Sequence, residues 1–93
     1  MNVSFMEKVK NLMDSGRIEE AIALLDEAIA SADGKLDELY YERGNAYWKL
    51  QDWKNCLDSY AMAVAVNPES PAAEARRMVE EILQFFNKDM YNH

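Results

Sequence analysis

Ninety-three residues, 49% of them hydrophobic and 29% charged, are enough for one packed core and too few for two. Ten Lys and Arg against 17 Asp and Glu leave a net charge of −7, which weighs against nucleic acid as a partner because binding a phosphate backbone relies on neutralising it with bases. One Cys and one His, the latter the final residue, exclude a disulfide framework and a structural zinc site, so neither metal nor cofactor is expected.

Met1–Lys8 lacks the basic stretch and unbroken apolar run of a signal peptide. No segment approaches the roughly 18 apolar residues of a membrane helix. The expectation is a cytoplasmic protein with no membrane partner, and a lone thiol suits a reducing compartment.

The apolar residues follow helical rather than alternating spacing, and five helices are predicted in an all-α chain. The first, 4–14, opens on Ser4-Phe5-Met6-Glu7, a capping box in which hydroxyl and carboxylate satisfy free backbone N–H groups. Gly16 separates it from the second, 17–31, where Ile18, Ala21, Ile22, Leu25, Ala28 and Ile29 share one face. Gly34 precedes the third, 36–50, whose residue Gly44 implies a close approach by another helix. The fourth, 53–66, carries Cys56 as a small packing residue and stops at Asn67-Pro68, since a residue before proline is pushed out of α geometry. The fifth, 71–87, starts with Ser70 as N-cap ahead of Pro71 and places Ala75, Met78, Val79, Ile82 and Phe86 on one face.

Sliding the chain along itself by 35 positions sets Ile18, Ala21, Ile22, Leu25, Ala28 and Ile29 on Trp53, Cys56, Leu57, Tyr60, Ala63 and Val64. Upstream, Phe5, Met6, Val9, Leu12 and Met13 fall on Tyr40, Tyr41, Gly44, Tyr47 and Trp48. Such coincidence by physical class is the mark of a repeated helical hairpin. In the second unit, Tyr40-x2-Arg43-Gly44-x2-Tyr47, followed by Cys56-x3-Tyr60, Ala63 and Pro68, resembles the tetratricopeptide repeat, a 34-residue helix–turn–helix with the pattern W-x2-L-G-x2-Y, A-x3-F and P. Arg43 stands in place of leucine and Cys56 in place of alanine. The first unit departs further, with Val9 for the glycine and Asp33 for the proline. Residues 71–93 break the pattern with Glu74, Arg77 and Glu81.

The resemblance implies a short right-handed α-solenoid of two helix–turn–helix repeats, 2–36 and 37–70, closed by a capping helix and tail, 71–93. Two repeats are fewer than the usual minimum of three, so the fifth helix is expected to supply the missing half-interface. It further implies a concave face lined by the first helix of each repeat, with Val3, Met6, Lys10 and Met13 from one and Tyr41, Asn45 and Trp48 from the other. A carboxylate clamp of the kind the family uses on chaperone tails would need cationic and amide side chains where this chain has Met6, Lys10, Glu42, Ala72 and Arg76; only Arg76 fits, and Glu42 repels a carboxylate.

Spacing alone puts Tyr41, Asn45 and Trp48 on one stripe of the third helix and Tyr40, Gly44 and Tyr47 on the adjacent one. That leaves two readings of the first stripe, a platform for a partner or internal packing. The apolar tail, with Phe85, Met90 and Tyr91, offers to fold back over Trp48 or Tyr41. The leading functional expectation is a protein–protein interaction module, an adaptor or scaffold that takes a peptide or helix on its concave face. The alternative is a homo-oligomeric structural unit. Catalysis is not expected: no Ser–His or Cys–His set exists, and Glu19-Glu20 and Glu80-Glu81 read as solvated faces.

Overall fold

The computed structural model describes the backbone of residues 3–32 and 34–91 and the side chains of residues 5–32 and 34–85. Its five helices are α1 (Val3–Asp14), α2 (Ile18–Ala30), α3 (Leu36–Lys49), α4 (Trp53–Val66) and α5 (Ala72–Tyr91). Each packs on the next in chain order, forming an all-α solenoid of two hairpins and a final helix. The stack measures 53 × 30 × 18 Å. Among the described residues no helix is long and apolar enough to cross a membrane.

The 35-residue offset reappears in the backbone. After α1, Gly16 N–H donates to Met13 C=O at 3.1 Å and Arg17 N–H to Leu12 C=O at 2.8 Å; after α3, Gln51 N–H donates to Trp48 C=O at 2.8 Å and Asp52 N–H to Tyr47 C=O at 3.0 Å. Both are the paired bonds of a helix end closed by a left-handed residue. Glycine supplies that conformation once (Gly16, φ 83°), and a glutamine is forced into it the second time (Gln51, φ 58°). The tight turns lay each second helix back against its first.

Burial follows the same register. Val9 and Gly44, Ala21 and Cys56, Leu25 and Tyr60, and Ala28 and Ala63 are buried pair by pair across the two units. The hairpins are joined through Leu39 of α3, which enters the cluster of Val9, Ala21, Leu25 and Ala28, and through Ala46, which meets Ile18 and Ile22. A second core gathers Cys56, Tyr60 and Ala63 of α4 with Ala72 and Val79 of α5.

Ser70 caps α5 as expected, its hydroxyl accepting from Ala72 N–H at 3.0 Å. Asp52 does the same for α4, accepting from Asn55 N–H at 3.3 Å. The side chain of Ser4, and with it the proposed capping box, lies outside the described residues. Two expectations for α5 need correction. Its packed face runs through Ala72, Ala75, Val79 and Leu83, whereas Met78, expected on that face, is 46% exposed. The helix presents two neighbouring apolar stripes, and the one centred on Val79 meets the small surface of Ala63 and Cys56. α5 also continues to Tyr91 as unbroken helix, because nothing after Gln84 interrupts it. Phe85 is 75% exposed and does not fold back over Trp48 or Tyr41. The side chains of Phe86, Met90 and Tyr91 lie outside the described residues.

Candidate functional site

Helix α3 lies between α2 and α4 and contributes to both cores. Its packing on α4 is governed by Gly44. A Cβ there would sit 2.4 Å from Tyr60 Cε1 and 2.5 Å from Cδ1, far inside the 3.5–4.0 Å at which carbon atoms rest. The missing side chain is a notch for the Tyr60 ring.

Tyr41, Asn45 and Trp48, one to two turns apart on α3, close around that ring. The Tyr60 hydroxyl donates to Asn45 Oδ1 at 2.5 Å, and the Asn45 amide nitrogen turns to Glu42 Oε1 at 3.5 Å. Tyr41 lies 5.9 Å from the Tyr60 ring centroid to centroid. Trp48 meets it edge-on at 6.4 Å and meets Trp53 edge-on at 6.1 Å. These separations are those of favourable aromatic pairs, each worth about 0.5–1.5 kcal/mol beyond simple burial. Burial, with the neighbouring Cys56, Tyr41 and Glu42 adding to it, pushes the Tyr60 phenol well above its ordinary range, so it stays a neutral donor to Asn45. Tyr41, Asn45 and Trp48 are themselves only half-buried. One edge of each serves the core and the other remains accessible.

The remaining predicted site residues fall elsewhere. Met13 is half-buried between the first core and the Ile18, Ile22 and Ala46 cluster, where it packs the hairpins together. Met6 is half-buried and Lys10 exposed on α1, whose main packing is against α2. Arg76 is exposed on α5 and ion-paired to Glu80 at 3.4 Å. Val3's side chain lies outside the described residues. Ala72 is fully buried, which removes another of the positions a carboxylate clamp would use. Cys56 is fully buried, and its thiol is pushed up to about 11, chiefly by that burial. It is a neutral packing group at physiological pH.

The sequence reading missed the role of Arg43. Its Nε donates to Ser59 Oγ at 3.0 Å, its Nη1 to Asp26 Oδ1 at 2.9 Å, and its guanidinium lies 5.1 Å over the Tyr40 ring. The Ser59 hydroxyl in turn donates to Asn55 C=O at 2.8 Å. One side chain thereby ties α2, α3 and α4. The available signal was the arginine itself, standing where the repeat pattern has leucine.

The tetratricopeptide repeat model matches residues 37–70. A solved structure, the solution NMR structure of Bacteroides fragilis protein BF1650, is 48% identical with a TM-score of 0.83, over 92% of this chain and 87% of that one. The chain belongs to the tetratricopeptide repeat family. No curated protein matches it. Tetratricopeptide repeats form stacked helix pairs whose general work is protein–protein interaction, and the tetratricopeptide signature here coincides with the Gly44–Tyr60 notch and its aromatic surround.

Proposed function

We propose that this chain is an adaptor that binds an extended or helical protein segment on its concave face. Tyr41, Asn45 and Trp48 form the platform. The observation that carries the reading is the dual position of Tyr41 and Trp48, locked on one edge by Tyr60 and accessible on the other. Rigid aromatics lose little entropy when a partner covers them, and such anchors dominate interface energetics. A cytoplasmic setting goes with the reading, since the lone buried thiol asks for no oxidising compartment.

The test is selection of peptides from a random display library, followed by mapping of a selected peptide on isotope-labelled protein by NMR. Shifts centred on the Trp48 indole and the Tyr41 ring are expected. Tyr41→Ala should weaken the peptide about tenfold while circular dichroism stays that of the wild type. Shifts that leave both rings unmoved would refute the platform.

A further inference from the structure

On α5, the stripe beside the Val79 packing face carries Met78, Ile82 and Phe85 at i, i+4 and i+7. Together with Glu81 they line an open basin of about 310 Å³. Met78 is 46% and Phe85 75% exposed. Beside this stripe runs an ionic ladder in which Arg77 bonds Glu74 on one side and Glu81, at 2.7 Å, on the other. The surface is an apolar ridge with an acidic rim, at the end of a stack in which every preceding helix is covered by the next.

We infer that this face of α5 docks an amphipathic helix of a partner protein, with apolar residues at i, i+3 or i+4 and i+7 and Lys or Arg along the flanks. Side chains three to four residues apart on α5 form ridges that mesh with the same spacing on a second helix, whereas an extended strand, with its period of two, does not match them. Charge selects the flanks. The ladder of Glu74, Arg77 and Glu81 leaves one negative charge on the rim, and the whole chain carries −7, so bases on the incoming helix are attracted and acids repelled. The same charge counts against a second copy of this chain, which would bring another −7 and another Glu81 to the contact. A further tetratricopeptide unit is disfavoured as well, because Met78 occupies the position, 34 residues on, where Gly44 admits Tyr60.

The probe is a fluorescent helical peptide of roughly 20 residues, about 30 Å long, with Leu at the i, i+4, i+7 positions and Lys on both flanks. A twin carries Glu in place of Lys. Anisotropy titration should show the Lys peptide binding at least about tenfold tighter than its twin at low salt. Met78→Asn and Phe85→Asn, which change no charge and touch exposed positions, should each weaken it about tenfold with unaltered circular dichroism. Tyr41→Ala should leave it unchanged, which separates this site from the α3 platform. Equal affinity for both peptides, no binding of either, or indifference to Met78→Asn and Phe85→Asn would each overturn the inference. Concentration-dependent dimerisation in sedimentation, abolished by Phe85→Asn, would also overturn it by assigning the face to a second copy.

Discussion

Gly44→Ala tests the packing that organises the aromatic platform. In an isolated helix the change would be favourable by about 1 kcal/mol, since glycine loses more backbone freedom than alanine. Here the new methyl would stand 2.4 Å from Tyr60 Cε1, so the ring must retreat by about 1 Å to reach an ordinary contact. It has little room to do so. Tyr60 is fully buried, its hydroxyl is held by Asn45 at 2.5 Å, and Tyr41 and Trp48 flank it at 5.9 and 6.4 Å. Overpacking of this kind costs about 1–3 kcal/mol, and losing the hydroxyl's bond adds about 0.5–1.5 kcal/mol. Set against the helix gain, the net loss is about 2 kcal/mol, which for a domain of this size lowers Tm by roughly 8–16 °C. Thermal and urea denaturation followed by far-UV circular dichroism measures it. In a Tyr60→Leu background the clash disappears, and the same Gly44→Ala change should be neutral or stabilising by up to about 1 kcal/mol. A Tm that rises in the otherwise wild-type chain, or an equal loss in both backgrounds, would refute the notch.

Gln51→Gly should stabilise the chain by about 0.5–1 kcal/mol, because the strain of a left-handed non-glycine residue exceeds the entropy glycine adds to the unfolded state; the urea midpoint reports it, and a lower midpoint refutes it. Arg43→Leu, which restores the family residue, should stay within about 1 kcal/mol of wild type by the same assay. The lost bridge to the half-exposed Asp26 is worth little, and Ser59 keeps its bond to Asn55. The Cys56 thiol, raised by burial from 9.0 to about 11, retains its proton in the folded state where the unfolded chain loses it. Its contribution is therefore complete below pH 9 and is lost as pH rises toward 11. Cys56→Ala should flatten the fall of stability in that window, and parallel curves for the two proteins would dismiss the thiol as a cause.

The second hairpin was legible because its constraints are local and tied to letters. Tyr40, Gly44, Tyr47, Ala63 and Pro68 stand at fixed offsets, and a glycine inside a helix announces that something packs against it. Arg43 shows the opposite case. Its departure from leucine is visible, but its partners Asp26 and Ser59 lie 17 and 16 residues away on other helices, and no spacing rule connects them. On α5 the stripes Ala75-Met78-Ile82 and Ala72-Ala75-Val79-Leu83 both satisfy a period of 3.6. Periodicity cannot choose between adjacent apolar stripes; the shape of Ala63 and Cys56 on α4 does. For the candidate site, the i, i+4, i+7 spacing grouped Tyr41, Asn45 and Trp48, but it did not reveal that they close on one buried phenol.

The end of the solenoid follows from the same comparison of helices. Tyr40, Arg43, Gly44 and Tyr47 of α3 correspond, 34 residues on, to Glu74, Arg77, Met78 and Glu81 of α5. The first set receives α4, with one charge that is itself bonded to Asp26 and Ser59. A helix laid on the second set as α4 lies on α3 would bury three charges, and desolvating each costs several kcal/mol that their mutual pairing does not reliably return. Left at the surface, the Glu74–Arg77–Glu81 ladder remains hydrated at no such cost. Two substitutions to charge, beside an arginine that both helices carry, and one loss of glycine thus turn the first helix of a would-be third repeat into a stop, while the Val79 face still covers Cys56, Tyr60 and Ala63. The cap completes the core on one side and, by its charges, declines another repeat on the other.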